Sequence, residues 1–111
     1  MENNFDFVIC VSDFDNFKLN SFYIRGFEFK MTCVACPEQY DVFNVDGVQV
    51  ASVRLRHGCL SVNVPNCYGY AIYIHVFRNA IGCFKNKRQR IRYLKKIAKI
   101  LRKERNAWEH F

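Results

Sequence analysis

Apolar and polar residues alternate with a period of two along most of the first 77 residues, and then the repeat lengthens to that of a helix. Phe5, Phe7, Ile9 and Val11 alternate with Asp6, Val8, Cys10 and Ser12, which predicts a strand with one buried face. Asp13 to Phe17 has turn chemistry. From Ser21 to Cys33, Phe27, Phe29, Met31 and Cys33 share one face while Glu28, Lys30 and Thr32 take the other. Gly26 marks a bulge or a break after Phe22–Arg25. Pro37 lacks a backbone donor, so the stretch Ala35 to Glu38 ends this strand. Gln39 to Phe43 reads as a short strand, and Asn44 to Gly47 as a hairpin turn in which glycine supplies the positive φ. Val48 to His57 is the partner strand. Its apolar phase moves from Val48 and Val50 to Val53 and Leu55, which predicts a bulge near Ala51. After a tight turn at Gly58, Leu60, Val62 and Val64 alternate with Ser61 and Asn63. Pro65 to Gly69 is a loop, and Tyr70 to Phe77 the last strand, with Ile72, Ile74 and Val76 expected on one face.

The segment from Asn86 to Arg105 predicts a single helix with Asn86 as its N-cap. At 3.6 residues per turn, Ile91, Tyr93, Leu94, Ile97, Ala98, Ile100 and Leu101 fall on one half of the cylinder. Arg92, Lys95, Lys96, Lys99, Arg102 and Lys103 fall on the other, and the two arcs do not mix. The strand connections are too short for parallel crossovers, so the strands form an antiparallel meander. Such a sheet needs cover on one face, and the helix provides it. The expected fold class is α+β: an antiparallel sheet of about five strands with one long basic amphipathic C-terminal helix on one face. The chain divides into an acidic Phe-rich segment (1–20), a β-meander (21–84) and the helix (86–105), all within one domain (1–111).

Composition narrows the class. Half of the 111 residues are hydrophobic, with eleven Phe and six Tyr, which excludes a disordered chain. No apolar run approaches the ~20 residues of a membrane span. The N-terminus starts acidic and lacks the basic region of a signal peptide, so the expectation is a soluble intracellular protein. In that setting the six cysteines are expected to be reduced. Charge is distributed unevenly. Lys85 to Arg105 holds eleven basic residues and one acid, a net +10. The whole chain is +7, so the remaining residues carry a net −3.

A charged helix face is ordinarily just solvated. Solvated faces interleave acids with bases at i, i+4. Here like charges sit at that spacing: Arg88 with Arg92, Arg92 with Lys96, Lys95 with Lys99, Lys99 with Lys103. Lys87, Arg88 and Arg90 also crowd the first turn, where the helix dipole is already positive. Both choices lower stability and point to an anionic partner. Arg88, Arg92, Lys95, Lys96, Lys99, Arg102 and Lys103 are therefore candidate contacts for DNA, RNA, a host protein or a protein–nucleic-acid complex. A membrane surface or a helix-binding groove would need the apolar face, which the sheet requires, and no membrane partner is expected. The acidic N-terminal segment could itself mimic nucleic acid toward a basic site.

Arg54 and Arg56 alternate with Val53 and Leu55 and project from the polar side of the sheet, where Tyr40, Tyr68, Tyr70 and Tyr73 could stack bases. The plainer reading pairs these arginines with acids such as Asp41 or Glu28. Cys33 and Cys36 have the spacing of half a zinc site, which His57 with Cys59, or Cys59 with Cys67, could complete. No knuckle spacing repeats, so no cofactor is assigned and structural zinc stays an alternative. No nucleophile elbow, phosphate loop or HExxH motif is present, and Glu38 and Asp41 are two acids near a turn. The expectation is a non-enzymatic protein.

The stretch CPEQYDVF (Cys36 to Phe43), the following DG turn, VRLRHG (Val53 to Gly58) and LSVNVP (Leu60 to Pro65) resemble a group of short uncharacterised phage and prophage proteins, over roughly residues 25–101. The resemblance carries no catalytic or ligand residue. It implies a phage-type accessory protein in a bacterial host cytoplasm. The expected function is inhibition of a host nucleoprotein through the cationic helix face, with a defence complex as target in the manner of an anti-CRISPR protein. A direct DNA- or RNA-binding regulator and a zinc-stabilised structural module are the alternatives.

Overall fold

The computed structural model describes residues 9–11, 21–32, 37–78 and 82–108, with side chains over 21–32, 37–78 and 82–104. Seven strands, β1 (Ile9–Val11), β2 (Ser21–Ile24), β3 (Phe27–Met31), β4 (Glu38–Phe43), β5 (Gln49–Arg56), β6 (Cys59–Val64) and β7 (Tyr70–Val76), precede one helix, α1 (Lys87–Trp108). The strands form one sheet in chain order, each antiparallel to the next. The α+β architecture is as expected, but about five strands become seven. One cause is the Arg25-Gly26 pair. Both residues have positive φ, 52° and 90°, which makes a two-residue hairpin turn where a bulge or break was expected. The other is β1, which falls within the strand expected over residues 5–12 and joins the edge of the meander. The rest of the expected N-terminal unit, 1–8 and 12–20, lies outside the described residues.

Turn chemistry fixes the register. Gly47 has φ of 80°, and the Asn44 side chain accepts hydrogen bonds from the backbone N–H of Asp46 and of Val48. The expected bulge appears as a register shift: Val42 faces Ala51, and Phe43 then faces Gln49, leaving Val50 as the extra residue. A second shift, between Val62 and Asn63, makes Ile72 an extra residue in β7. Gly69 lies so close to the Val64 carbonyl that a Cβ there would sit 1.8 Å from the oxygen.

The sheet has one covered and one open face. A row of directly opposed residues, Met31–Tyr40–Val53–Val62–Tyr73, crosses the covered face, with Leu55 and Leu60 beside it. The helix buries Leu94, Ile97, Ala98 and Leu101 there. Each of the larger side chains contributes about 1.5–3 kcal/mol of transfer free energy. Arg90 reaches Glu38 on β4, Tyr93 touches His75 on β7, and α1 also contacts β2, so the helix lies across the middle of the sheet. The open face carries the rows Lys30–Asp41–Ser52–Asn63–Ala71 and Gln39–Arg54–Ser61–Ile74.

The expected alignment of Ile72, Ile74 and Val76 on one face does not hold. The bulge turns Ile72 onto the core, while Ile74 and Val76 lie on the open face, 58% and 69% exposed. Tyr73, His75 and Phe77 take the covered side, where Tyr73 packs against the core and His75 and Phe77 join Phe84 and Tyr93 in an aromatic cluster.

Candidate functional site

The helix face is set up by its start. Asn86 Oδ1 accepts the Gln89 N–H at 2.8 Å, and Gln89 Oε1 accepts the Lys85 N–H at 2.8 Å, a reciprocal cap that satisfies two backbone donors. From there the apolar arc is pinned to the sheet, so the opposite arc must face solvent. Lys87, Arg88, Arg92, Lys96, Lys99, Arg102 and Lys103 are all exposed, and Lys95 is half-buried at the boundary. Arg88, Arg92, Lys96, Lys99 and Lys103 form one stripe about 22 Å long at ~1.5 Å rise per residue. Among the described residues none of these five forms an ion pair. Lys96 lies over the Tyr93 ring, 5.8 Å from its centroid. A groove of about 640 Å³ along the N-terminal half of the helix is lined by Lys87, Arg88, Ile91, Arg92 and Lys95.

Arg90 departs from this pattern and corrects the reading of the first turn. It points inward and grips Glu38 with both Nε and Nη2, the latter at 3.2 Å from Oε1. Glu38 is 3% exposed. Its carboxylate also accepts the Phe84 N–H at 3.1 Å and the Tyr40 hydroxyl, while its own N–H donates to the Gly82 carbonyl. One buried acid thus ties β4, the segment before the helix and the helix itself. Burial, followed by the Glu38 charge, pushes the Tyr40 hydroxyl well above its ordinary range. The hydrogen bond to Glu38 raises Arg90 and keeps it charged. Glu38 is therefore more than an acid near a turn. Its in-phase position with Tyr40 and Val42 was the available signal, since alternation places it on the buried face.

Arg54 and Arg56 do project together from the open face, Arg54 half-buried and Arg56 exposed. Neither pairs with an acid among the described residues, because Arg54 is opposite Gln39 and Ser61 rather than Asp41 or Glu28. They lie on the opposite layer from α1, so the sequence-assigned contacts form two surfaces, not one. Of the four tyrosines expected beside them, Tyr40 and Tyr73 belong to the covered face. Tyr68 and Tyr70 are exposed. A small polar recess of about 110 Å³ is lined by Ser52, Arg54, Ser61, Asn63 and Cys67.

Cys33 and Cys36 lie outside the described residues. Among those described, no group of three metal-ligating side chains comes together. His57 is exposed in the turn after β5 with φ of 52°, Cys59 opens β6, and Cys67 is in the loop beyond the other end of that strand. His75 Nε2 lies 3.2 Å from the Tyr93 hydroxyl within the aromatic cluster. No described helix is long and apolar enough to cross a membrane. Searches of family models, curated proteins and solved structures found no match to this chain.

Proposed function

We propose that this chain is a non-enzymatic binding protein that lays the outer face of α1 on the phosphate backbone of a nucleic acid held within a host nucleoprotein. A host-defence complex is the target class that the phage-group resemblance suggests. One observation carries the reading: an uninterrupted stripe of exposed cations, none ion-paired among the described residues, on a helix whose apolar face is already buried. A duplex or a structured RNA presents phosphates along such a length, and each contact releases condensed counterions.

The test is binding of short duplex DNA and RNA followed by fluorescence anisotropy across a salt series. Five phosphate contacts correspond to a slope of log affinity against log salt of about −4 to −5 on duplex DNA. Combined reversal of Arg92, Lys96 and Lys99 to Glu should abolish binding while leaving the circular dichroism unchanged, since none of the three supports the core. Absence of any binding at low salt would sink the nucleic-acid reading and leave an acidic protein surface as the partner. Pull-down from host lysate with and without nuclease separates binding to free nucleic acid from binding to a nucleoprotein.

A further inference from the structure

We infer that β7 pairs with β7 of a second copy of this chain, joining the two sheets across a two-fold axis. Among the described residues, strand β7 is the last in the sheet and β6 is its only neighbour. Edge strands ordinarily carry charges or prolines, or are very short, to prevent pairing with another chain. The opposite edge, β1, has three residues. Strand β7 has seven, Tyr70-Ala-Ile-Tyr-Ile-His-Val76, with no Lys, Arg, Asp, Glu or Pro. Its bulge at Ile72 leaves the stretch from Tyr73 to Phe77 regular.

The occupant follows from that stretch. The Phe77 N–H donates to Gly58 at 2.7 Å, so in the antiparallel alternation Tyr73, His75 and Phe77 turn their backbone groups toward β6. Ile74 and Val76 therefore present their N–H and C=O groups to the open edge. A second copy run antiparallel with His75 on the axis brings Ile74 opposite the partner's Val76, and the two residues exchange both backbone hydrogen bonds. The same register sets Tyr73 opposite the partner's Phe77. Aliphatic meets aliphatic on the open face, and aromatic meets aromatic on the covered face, so side chains of like character pair across the seam. The strand is its own complement, and exposed Ile74 and Val76 join those of the partner in one apolar strip.

A two-fold axis normal to the sheet keeps both helices on the same side. Tyr93 ties α1 to His75 of β7, so the two cationic helices stand over the same face of the joined sheet. Their repulsion weakens the dimer at low salt, and a polyanion bridging both helices strengthens it by linkage. This coupling rests on the proposed nucleic-acid function, whereas the strand pairing does not.

Sedimentation of the full chain across the micromolar range tests the pairing, at low and moderate salt and with added short duplex DNA. Ile74→Pro removes an N–H that points away from β6, and Val76→Lys adds the missing edge charge. The wild type should show a concentration-dependent dimer, tightened by salt and by DNA. Either variant that keeps the wild-type circular dichroism and thermal midpoint should be monomeric. A wild type that stays monomeric under every condition, or a folded variant that dimerises as the wild type does, overturns the inference. The helix reversal of Arg92, Lys96 and Lys99 should leave the strand-paired dimer intact while abolishing its response to DNA, so the two readings fail separately.

Discussion

Glu38 begins a strand whose other inward positions are Tyr40 and Val42, and its carboxylate would be untenable there without compensation. Arg90 and the Phe84 N–H, together with the Tyr40 hydroxyl, supply that compensation. Removing one member leaves a charge uncompensated. Arg90→Met should lower stability by about 3–5 kcal/mol, a large share of a domain's ~5–15 kcal/mol, measured by urea denaturation. Replacing both, as in Glu38→Gln with Arg90→Met, should recover much of that loss. The Tyr40 hydroxyl gives a pH signature. Its folded-state pKa is raised above the unfolded value of about 10. Its contribution is thus fully present below pH ~10 and is lost above it, as the unfolded chain alone releases the proton. Stability should fall there by about 1.4 kcal/mol per pH unit from this group. Tyr40→Phe should flatten that part of the profile in urea melts on either side of pH ~10. Although the sequence alone suggests an acid near a turn, with the strand beginning at Gln39, the alternation of β4 carried the signal that Glu38 is buried. Its partner was not legible, because 52 residues separate it from Arg90.

At the scale of elements, α1 was the most legible part of the chain. Its cap, its apolar arc and its cationic arc are all local periodicities, and each is found in the structure. Asn86→Ala should cost about 0.5–2 kcal/mol, read as a lowered thermal midpoint with fraying of the first turn. The strands were legible in phase, but their boundaries were less so. Arg25-Gly26 and His57-Gly58 have both turn residues at positive φ. Only the glycines announce this, because arginine and histidine enter that region at an energetic penalty set by the surrounding hairpin. In β7 the sequence repeat Ile72, Ile74, Val76 points to one face, yet a bulge opposite Val62 and Asn63 divides it. A bulge is decided by pairing with the neighbouring strand, and no local pattern within β7 records it.

At the scale of the molecule, the helix cations and the sheet arginines lie on opposite layers. Reversing Arg54 and Arg56 to Glu should therefore leave DNA affinity within about twofold, since charges on the far layer are screened beyond about 8 Å in physiological salt. Reversal on α1 should abolish it. Anisotropy on the two variants side by side makes the comparison, and an equal loss in both would mean that the ligand wraps the sheet edge to reach both faces. The sequence by itself determined an antiparallel sheet, a covering helix and the solvent-facing direction of its cations. These follow from side-chain periodicity along a single element, which hydrophobic burial converts directly into orientation. Only the tertiary structure decided that Arg90 is withdrawn from the charged face, that Tyr40 and Tyr73 leave the open face, and that the basic residues divide between two layers. Each of those outcomes depends on which strand lies beside which and with what register. Contacts between distant residues set that register.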